Sequence, residues 1–134
     1  MNQGLLYLDS SVILKLVVSE VESAAVMSLL SGWPERVSSE LARTEVLRAL
    51  RRAKVTVREF RRGEKVLDRV DLIRIDKRIL QDAAMLQPPG LRTLDAIHLA
   101  TALSLRDDLA AVVTYDGRFA KAASDSKLTV WSPR

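Results

Sequence analysis

Two kinds of run alternate along the chain. Short stretches that are apolar or alternate with polar residues, at Leu5–Leu8, 36–38, 71–75, 110–114 and 128–131, are bounded by turn or polar residues and predict strands. Between them lie longer stretches with apolar residues every three or four positions, which predict helices over 12–18, 21–30, 57–70, 77–86 and 94–105. A further helix carries Glu45, with Ala42, Val46, Ala49, Leu50 and Ala53 on one face and Glu45 at its margin beside Arg48 and Arg52. Ser38 or Ser39 is expected to cap that helix and Thr93 the 94–105 helix, while Gly32-Trp33-Pro34 and Gln87-Pro88-Pro89-Gly90 break helical continuation. The last helical stretch follows Tyr115-Asp116-Gly117 and runs to about Ala123. Strands alternating with helices predict a three-layer α/β/α arrangement with a central parallel sheet.

With 134 residues the chain has room for one domain, taken as 1–134. At 48% hydrophobic and 28% charged residues it falls in the range of ordinary soluble proteins, which excludes global disorder. Zero cysteines exclude disulfides and thiolate chemistry, and a single histidine excludes a histidine-rich metal cluster. No apolar run is long enough to span a bilayer, Lys15 interrupting the richest one. Residues 1–4 lack the basic start of a secretory signal, so a cytoplasmic location is expected.

Charge changes this picture more than composition does. The net charge is +4, yet segment 43–78 holds 13 of the 21 basic residues and only six acids, +7 locally, which leaves the remainder at −3. Arg48, Arg51, Arg52, Arg58, Arg61 and Arg62 would give a positive field suited to a polyanion, or simply a solvated helical face. Aromatic residues make up only 4% of the chain, so attraction to a nucleic-acid backbone is better supported than stacking on bases.

In an open α/β sheet, functional groups gather beyond the carboxyl ends of the strands. Asp9 ends the first strand, Asp116 follows the 110–114 strand, Asp95 lies in the first turn of a buried helix, and Glu45 can point into the same crevice. Each has a plainer reading: Asp9 as a cap, Asp116-Gly117 as turn chemistry, Asp95 as a partner of the helix dipole, Glu45 as a partner of Arg48 or Arg52. Should all four converge, each pair at ~5 Å and an effective dielectric of ~20 costs about 3 kcal/mol. Protonation, an arginine from outside, or a hard divalent cation, Mg²⁺ or Mn²⁺, would relieve it. An acid-bound cation of that kind suits phosphoester hydrolysis, where it activates water and stabilises the attacking and leaving oxygens. Ser10 and Thr114 flank the crevice and could orient an acid or a water. His98, one turn after Asp95 on an apolar helix, reads as a core histidine rather than a base, and the five scattered glycines form no phosphate loop.

The same residues carry a family resemblance: Leu6-Tyr7-Leu8-Asp9-Ser10-Ser11, Arg43-Thr44-Glu45-Val46, the segment from Leu94-Asp95-Ala96-Ile97-His98 to Leu99-Ala100-Thr101-Ala102, and Val113-Thr114-Tyr115-Asp116. The chain resembles PIN-domain ribonucleases, in particular VapC-type toxins of toxin–antitoxin pairs, over nearly its whole length. The resemblance implies that Asp9, Glu45, Asp95 and Asp116 form the acidic site. Asp9 and Asp95, with Asp116, would be the direct metal ligands, and Ser10 and Thr114 match the accessory hydroxyls. It further implies a Mg²⁺- or Mn²⁺-dependent endoribonuclease acting on RNA, often a tRNA or rRNA loop. A homodimer and a VapB-like antitoxin that lays its C-terminal segment across the groove are implied as partners, with no membrane involved.

Two other readings differ in what they require. A receiver-like signalling domain would need a phosphorylatable aspartate after a central strand, for which Asp76 is the candidate, and a lysine ending the last strand, where Lys127 stands at the beginning instead. A non-catalytic nucleic-acid-binding module would use segment 43–78 alone, with steep salt dependence and no need of metal.

Overall fold

The computed structural model of the chain describes residues 3–134; the reading of 1–4 as no secretory signal falls partly on positions outside the described residues. In order, the elements are β1 (Leu5–Leu8), α1 (Ser10–Lys15), α2 (Ser23–Ser31), β2 (Arg36–Ser39), α3 (Leu41–Arg52) and α4 (Val57–Asp68). There follow β3 (Asp71–Ile73), α5 (Lys77–Ala84), α6 (Thr93–Ser104), β4 (Leu109–Val113) after a single 3₁₀ turn, α7 (Gly117–Asp125) and β5 (Val130–Trp131). The five strands form one parallel sheet in the order β3-β2-β1-β4-β5.

The two-residue period of the strands sorts the core into two layers. Leu6 and Leu8 of β1, with Ala111 and Val113 of β4, face Val12, Ile13, Val26, Val46, Leu50 and Leu67 from α1 to α4. Tyr7 and Val112 point the other way, against Leu99 and Ala102 of α6 and Phe119 and Ala123 of α7. Helix α5 closes the second layer by packing Ile79 and Ala83 against Ala96 and Ala100. The predicted three layers and parallel sheet are therefore observed. Each fully buried Leu or Val in these layers contributes about 1.5–3 kcal/mol of apolar transfer free energy.

Helices α3 and α4 form an antiparallel hairpin, since Gly63 lies against Leu50 and Asp68 pairs with Arg43 at 3.7 Å. A Cβ at Gly63 would stand 2.5 Å from Leu50 Cδ1, so the close approach of the two helices requires glycine there. Thr56 caps α4 with a reciprocal box: its hydroxyl accepts from Glu59 N at 3.1 Å and its own N–H donates to Glu59 Oε1 at 3.1 Å.

Two expected caps differ. Thr93 is the first residue of α6 rather than its cap, and Arg92 precedes it without a side-chain bond, so this helix start is held by packing. The residue before α3 is Glu40, and Ser39 reaches past it to accept from Leu41 N at 3.1 Å. The receiver-like alternative also fails on topology. Asp76 follows β3, an edge strand, and its carboxylate caps α5 by accepting from Ile79 N at 2.8 Å.

Candidate active site

The sheet order reverses between β1 and β4: the chain moves from β1 outward to β2 and β3, then returns to the other side of β1. In parallel sheets the crevice beyond that switch point is where ligands bind. Asp9 leaves β1 at this point, and Thr114 and Asp116 leave β4 beside it.

Asp9 is buried and caps α1. Its Oδ1 accepts from Ser11 Oγ at 2.6 Å and Val12 N at 3.1 Å, and its Oδ2 accepts from the Thr114 hydroxyl. Burial pushes its carboxyl above the ordinary aspartate value despite those three donors. Thr114 is the link to Asp116, whose backbone N–H donates to Thr114 Oγ1 at 3.0 Å. Asp116 in turn caps α7, its Oδ1 accepting from Arg118 N at 2.9 Å and Phe119 N at 3.1 Å, while Oδ2 has no partner among the described residues. Asp9 is thus the cap that the plainer reading foresaw, Asp116 is a helix cap where that reading had turn chemistry, and both stand at the switch point. The two roles coexist because capping at a strand-to-helix turn fixes the side chain where the crevice opens.

Glu45 does not pair with Arg48 or Arg52. Its Oε1 accepts from Ser10 Oγ at 2.6 Å and lies 2.6 Å from His98 Nε2. Burial pushes the Glu45 carboxyl up, but the hydrogen bonds from His98 and Ser10 and the field of His98 outweigh it and hold it below the usual glutamate range. Asp95, half-buried in the first turn of α6, accepts no hydrogen bond among the described residues. Its carboxyl is pushed up by burial and by Asp116, with Arg92 and His98 opposing and Glu45 adding to the rise. Asp95 thus feels the charges of Asp116 and Glu45.

The model of the PIN domain matches residues 6–125. This chain belongs to the PIN-domain family. Its relatives at full length include Ribonuclease VapC46 of Mycobacterium tuberculosis, 48% identical over 128 residues that span 96% of this chain and 97% of that protein. Ribonuclease VapC35 of the same organism is 39% identical over 133 residues, again 96% of this chain and 97% of the relative. Among solved structures, a toxin–antitoxin complex from Klebsiella pneumoniae superposes with a TM-score of 0.72 at 22% identity, covering 96% of this chain and 98% of that one. Mycobacterium tuberculosis VapC20, described as a sarcin–ricin loop cleaving toxin, does so with a TM-score of 0.74 at 15% identity, covering 96% and 99%. At those identities the two structures share the PIN fold.

The donor chemistry of this PIN domain fits a hard cation. No thiol exists in the chain, both ring nitrogens of its only histidine are engaged by Tyr7 and Glu45, and the groups left are carboxylate oxygens. Asp95 has neither hydrogen-bond donor nor counter-charge in contact, which is the condition a cation would relieve. Among the described residues, however, no three histidine, aspartate or glutamate side chains are arranged to hold an ion together. Asp9, Asp95 and Asp116, expected as joint ligands, therefore form no closed donor set among the described residues.

Tyr7 was not singled out in the sequence, and His98 was read as core. Both readings of His98 hold in part: it is buried, and it also touches Glu45. The available signal was spacing, because His98 lies three residues after Asp95 on α6 and Tyr7 two residues before Asp9 on β1, each on the face its acid uses.

Proposed function

We propose that the chain is a Mg²⁺- or Mn²⁺-dependent endoribonuclease that acts as the toxin of a toxin–antitoxin pair, as one domain spanning 1–134. What supports this reading is that Asp9 and Asp116 stand at the switch point of the sheet and that the charges of Asp116 and Glu45 act on Asp95. Asp9, Asp95 and Asp116 would hold the cation. When bound, it supplies a Lewis acid that polarises the scissile phosphate and eases deprotonation of the attacking water. Thr114 holds Asp9 in place and ties it to the Asp116 backbone, Ser10 holds Glu45, and Glu45 or Asp116 accepts a proton from the attacking water.

The α3–α4 hairpin supports the choice of RNA. Among the described residues, only Arg43 of the 13 basic residues in segment 43–78 makes an ion pair, which leaves Arg48, Arg51, Arg52, Arg58, Arg61, Arg62 and Lys65 to meet phosphates. A tRNA or rRNA loop is the proposed substrate class; the relatives are named ribonucleases, and VapC20 is described as cleaving the sarcin–ricin loop. A VapB-like antitoxin is the expected neutralising partner, in keeping with the toxin–antitoxin complex among the structural neighbours. Homodimerisation completes the reading, supported by Leu80 and Met85, 49% and 70% exposed beside an apolar cleft between α5 and α6. No helix of the described residues is long and apolar enough to cross a membrane, and we place the protein in the cytoplasm, where its RNA substrates are.

The decisive experiment incubates the purified protein with total RNA in Mg²⁺ or Mn²⁺, with and without EDTA. Cleavage that EDTA stops and that Asp95→Asn lacks is the expected result. RNA binding without metal-dependent cleavage would instead identify a binding module.

A further inference from the structure

Behind Glu45 lies a buried pair that the hydrolysis outlined above leaves unused, and the inference drawn from it rests on that ribonuclease reading. His98 on α6 has Nδ1 2.7 Å from the Tyr7 hydroxyl and Nε2 2.6 Å from Glu45 Oε1. Ser10 Oγ donates to that same Oε1 at 2.6 Å. Both contacts land on one oxygen, and Glu45 Oε2 has no partner among the described residues.

We propose that His98, backed by Tyr7, is a positioning residue: it pins Glu45 through Oε1 and leaves Oε2 as the one oxygen available to the hydrolysis. A glutamate side chain turns about three bonds, so an untethered one would present either oxygen in many places. Anchoring one oxygen from two sides removes that freedom before substrate arrives.

The direction of the anchor follows from Tyr7. Tyr7 is fully buried in β1, and its hydroxyl 2.7 Å from Nδ1 holds the ring from the sheet side, which turns Nε2 towards Glu45. A hydrogen on Nε2 is thereby aimed at Glu45 Oε1. Edge contacts to Tyr7 at 6.0 Å and to Phe119 at 6.1 Å between ring centroids oppose a flip of the imidazole. Phe119 lies in the first turn of the helix that Asp116 caps, so the clamp extends from Glu45 to the opposite side of the crevice.

Two amide variants divide the role. In His98→Gln the side-chain amide nitrogen can stand where Nε2 stands and donate to Glu45; in His98→Asn the shorter amide reaches only towards Tyr7. His98→Asn is expected to lower kcat for RNA cleavage by about 10- to 100-fold with KM unchanged. His98→Gln should recover most of that loss, and Tyr7→Phe should lose about two- to tenfold. Equal rates for the two amides, each following its thermal stability, would mean that His98 only satisfies a buried phenol. Because His98 is the only histidine in the chain, nitrogen-15 spectra of its ring are unambiguous and need no activity. The expected wild-type spectrum has a proton on Nε2, facing Glu45, and an Nε2 without a proton overturns the proposal. A wild type that cuts no RNA sinks the ribonuclease reading, whereas an active wild type with indistinguishable amide variants sinks this one alone.

Discussion

The acidic crevice and the α3–α4 hairpin carry opposite charge and hold it in opposite ways. In the crevice Asp9 is fixed by three donors, Asp116 by two backbone N–H groups, and Glu45 by Ser10 and His98. On the hairpin a single ion pair, Arg43 with Asp68 at 3.7 Å, is all that restrains the cations, and it is well exposed. The difference follows from burial. An ionised group withdrawn from water must be hydrogen-bonded or it destabilises the fold, while an exposed arginine keeps its hydration and its rotamers at no cost. On the proposed function, rigidity collects where bonds would be broken and mobile charge where a flexible polyanion would be gathered. Helix α3 joins the two regions, with Glu45 in the crevice and Arg48 and Arg52 three and seven residues further along.

Removing a crevice charge should produce the largest effect. Asp9→Asn and Asp95→Asn are expected to lower cleavage by at least about 10²–10³-fold, as loss of a preorganised electrostatic group does. Circular dichroism should show both variants folded, since Asn still caps at Asp9 and Asp95 makes no hydrogen bond to lose. Full cleavage by both would remove the crevice from the reaction and leave the hairpin as a binding surface only.

Next in size is the link between these acids, pH and metal. The Asp9 and Asp95 carboxyls are raised chiefly by burial, so the native state holds their protons more tightly than the unfolded chain does. Their stabilising contribution is present below the unfolded aspartate value of about 3.9 and is lost as pH rises through the folded values. Without metal, Asp95→Asn should therefore unfold at higher urea than wild type at pH 7, and the gap should close near pH 4 and below. A cation at 100 times its Kd should stabilise wild type by about 2.7 kcal/mol at neutral pH, and Asp95→Asn by less. An unfolding midpoint that ignores Mn²⁺ would mean that the acids tolerate one another unaided.

The two regions were unequally legible in the sequence. Strand β1 was visible to the residue because Leu5–Leu8 is a short apolar run closed by Asp9, and the alternation of strands and helices yielded the three layers. Placement of Asp9 and Asp116 followed from where strands end and that of Asp95 from where a helix begins, which are local properties. Helix caps were less legible: Thr93 has the right chemistry, yet α6 starts one residue earlier than a threonine cap needs, because its apolar faces decide where it packs. The partners of Glu45 could not be read locally at all. Ser10 is 35 residues away and His98 is 53, and only the packing of α1 against α3 and of α6 on the sheet brings them together. The closure of a metal donor set is likewise set by side-chain rotamers, which no sequence pattern fixes.

A smaller effect tests the hairpin by charge. Replacing Arg48 and Arg52 with alanine removes two exposed cations without disturbing any hydrogen bond or ion pair. For single-stranded RNA each lost phosphate contact should reduce the slope of log binding against log salt by about 0.7. KM should rise at low salt, kcat should stay, and the difference from wild type should shrink as salt is added. An unchanged slope would assign those arginines to another partner.

The smallest effect separates the shape of the hairpin from its charge. Thr56→Ala deletes the hydroxyl that accepts from Glu59 N and opens the capping box at the start of α4, far in sequence from every crevice acid. Loss of such a cap costs about 0.5–2 kcal/mol, measurable by urea unfolding. No cation is removed and Gly63 still admits Leu50, so the two helices stay paired in the native state. If the hairpin attracts RNA through mobile charge, the salt slope and kcat of Thr56→Ala should equal those of wild type while its stability falls. A slope that fell with the cap would show that the cations need the hairpin's fixed geometry, and the contrast between a rigid crevice and a loose basic surface would no longer stand.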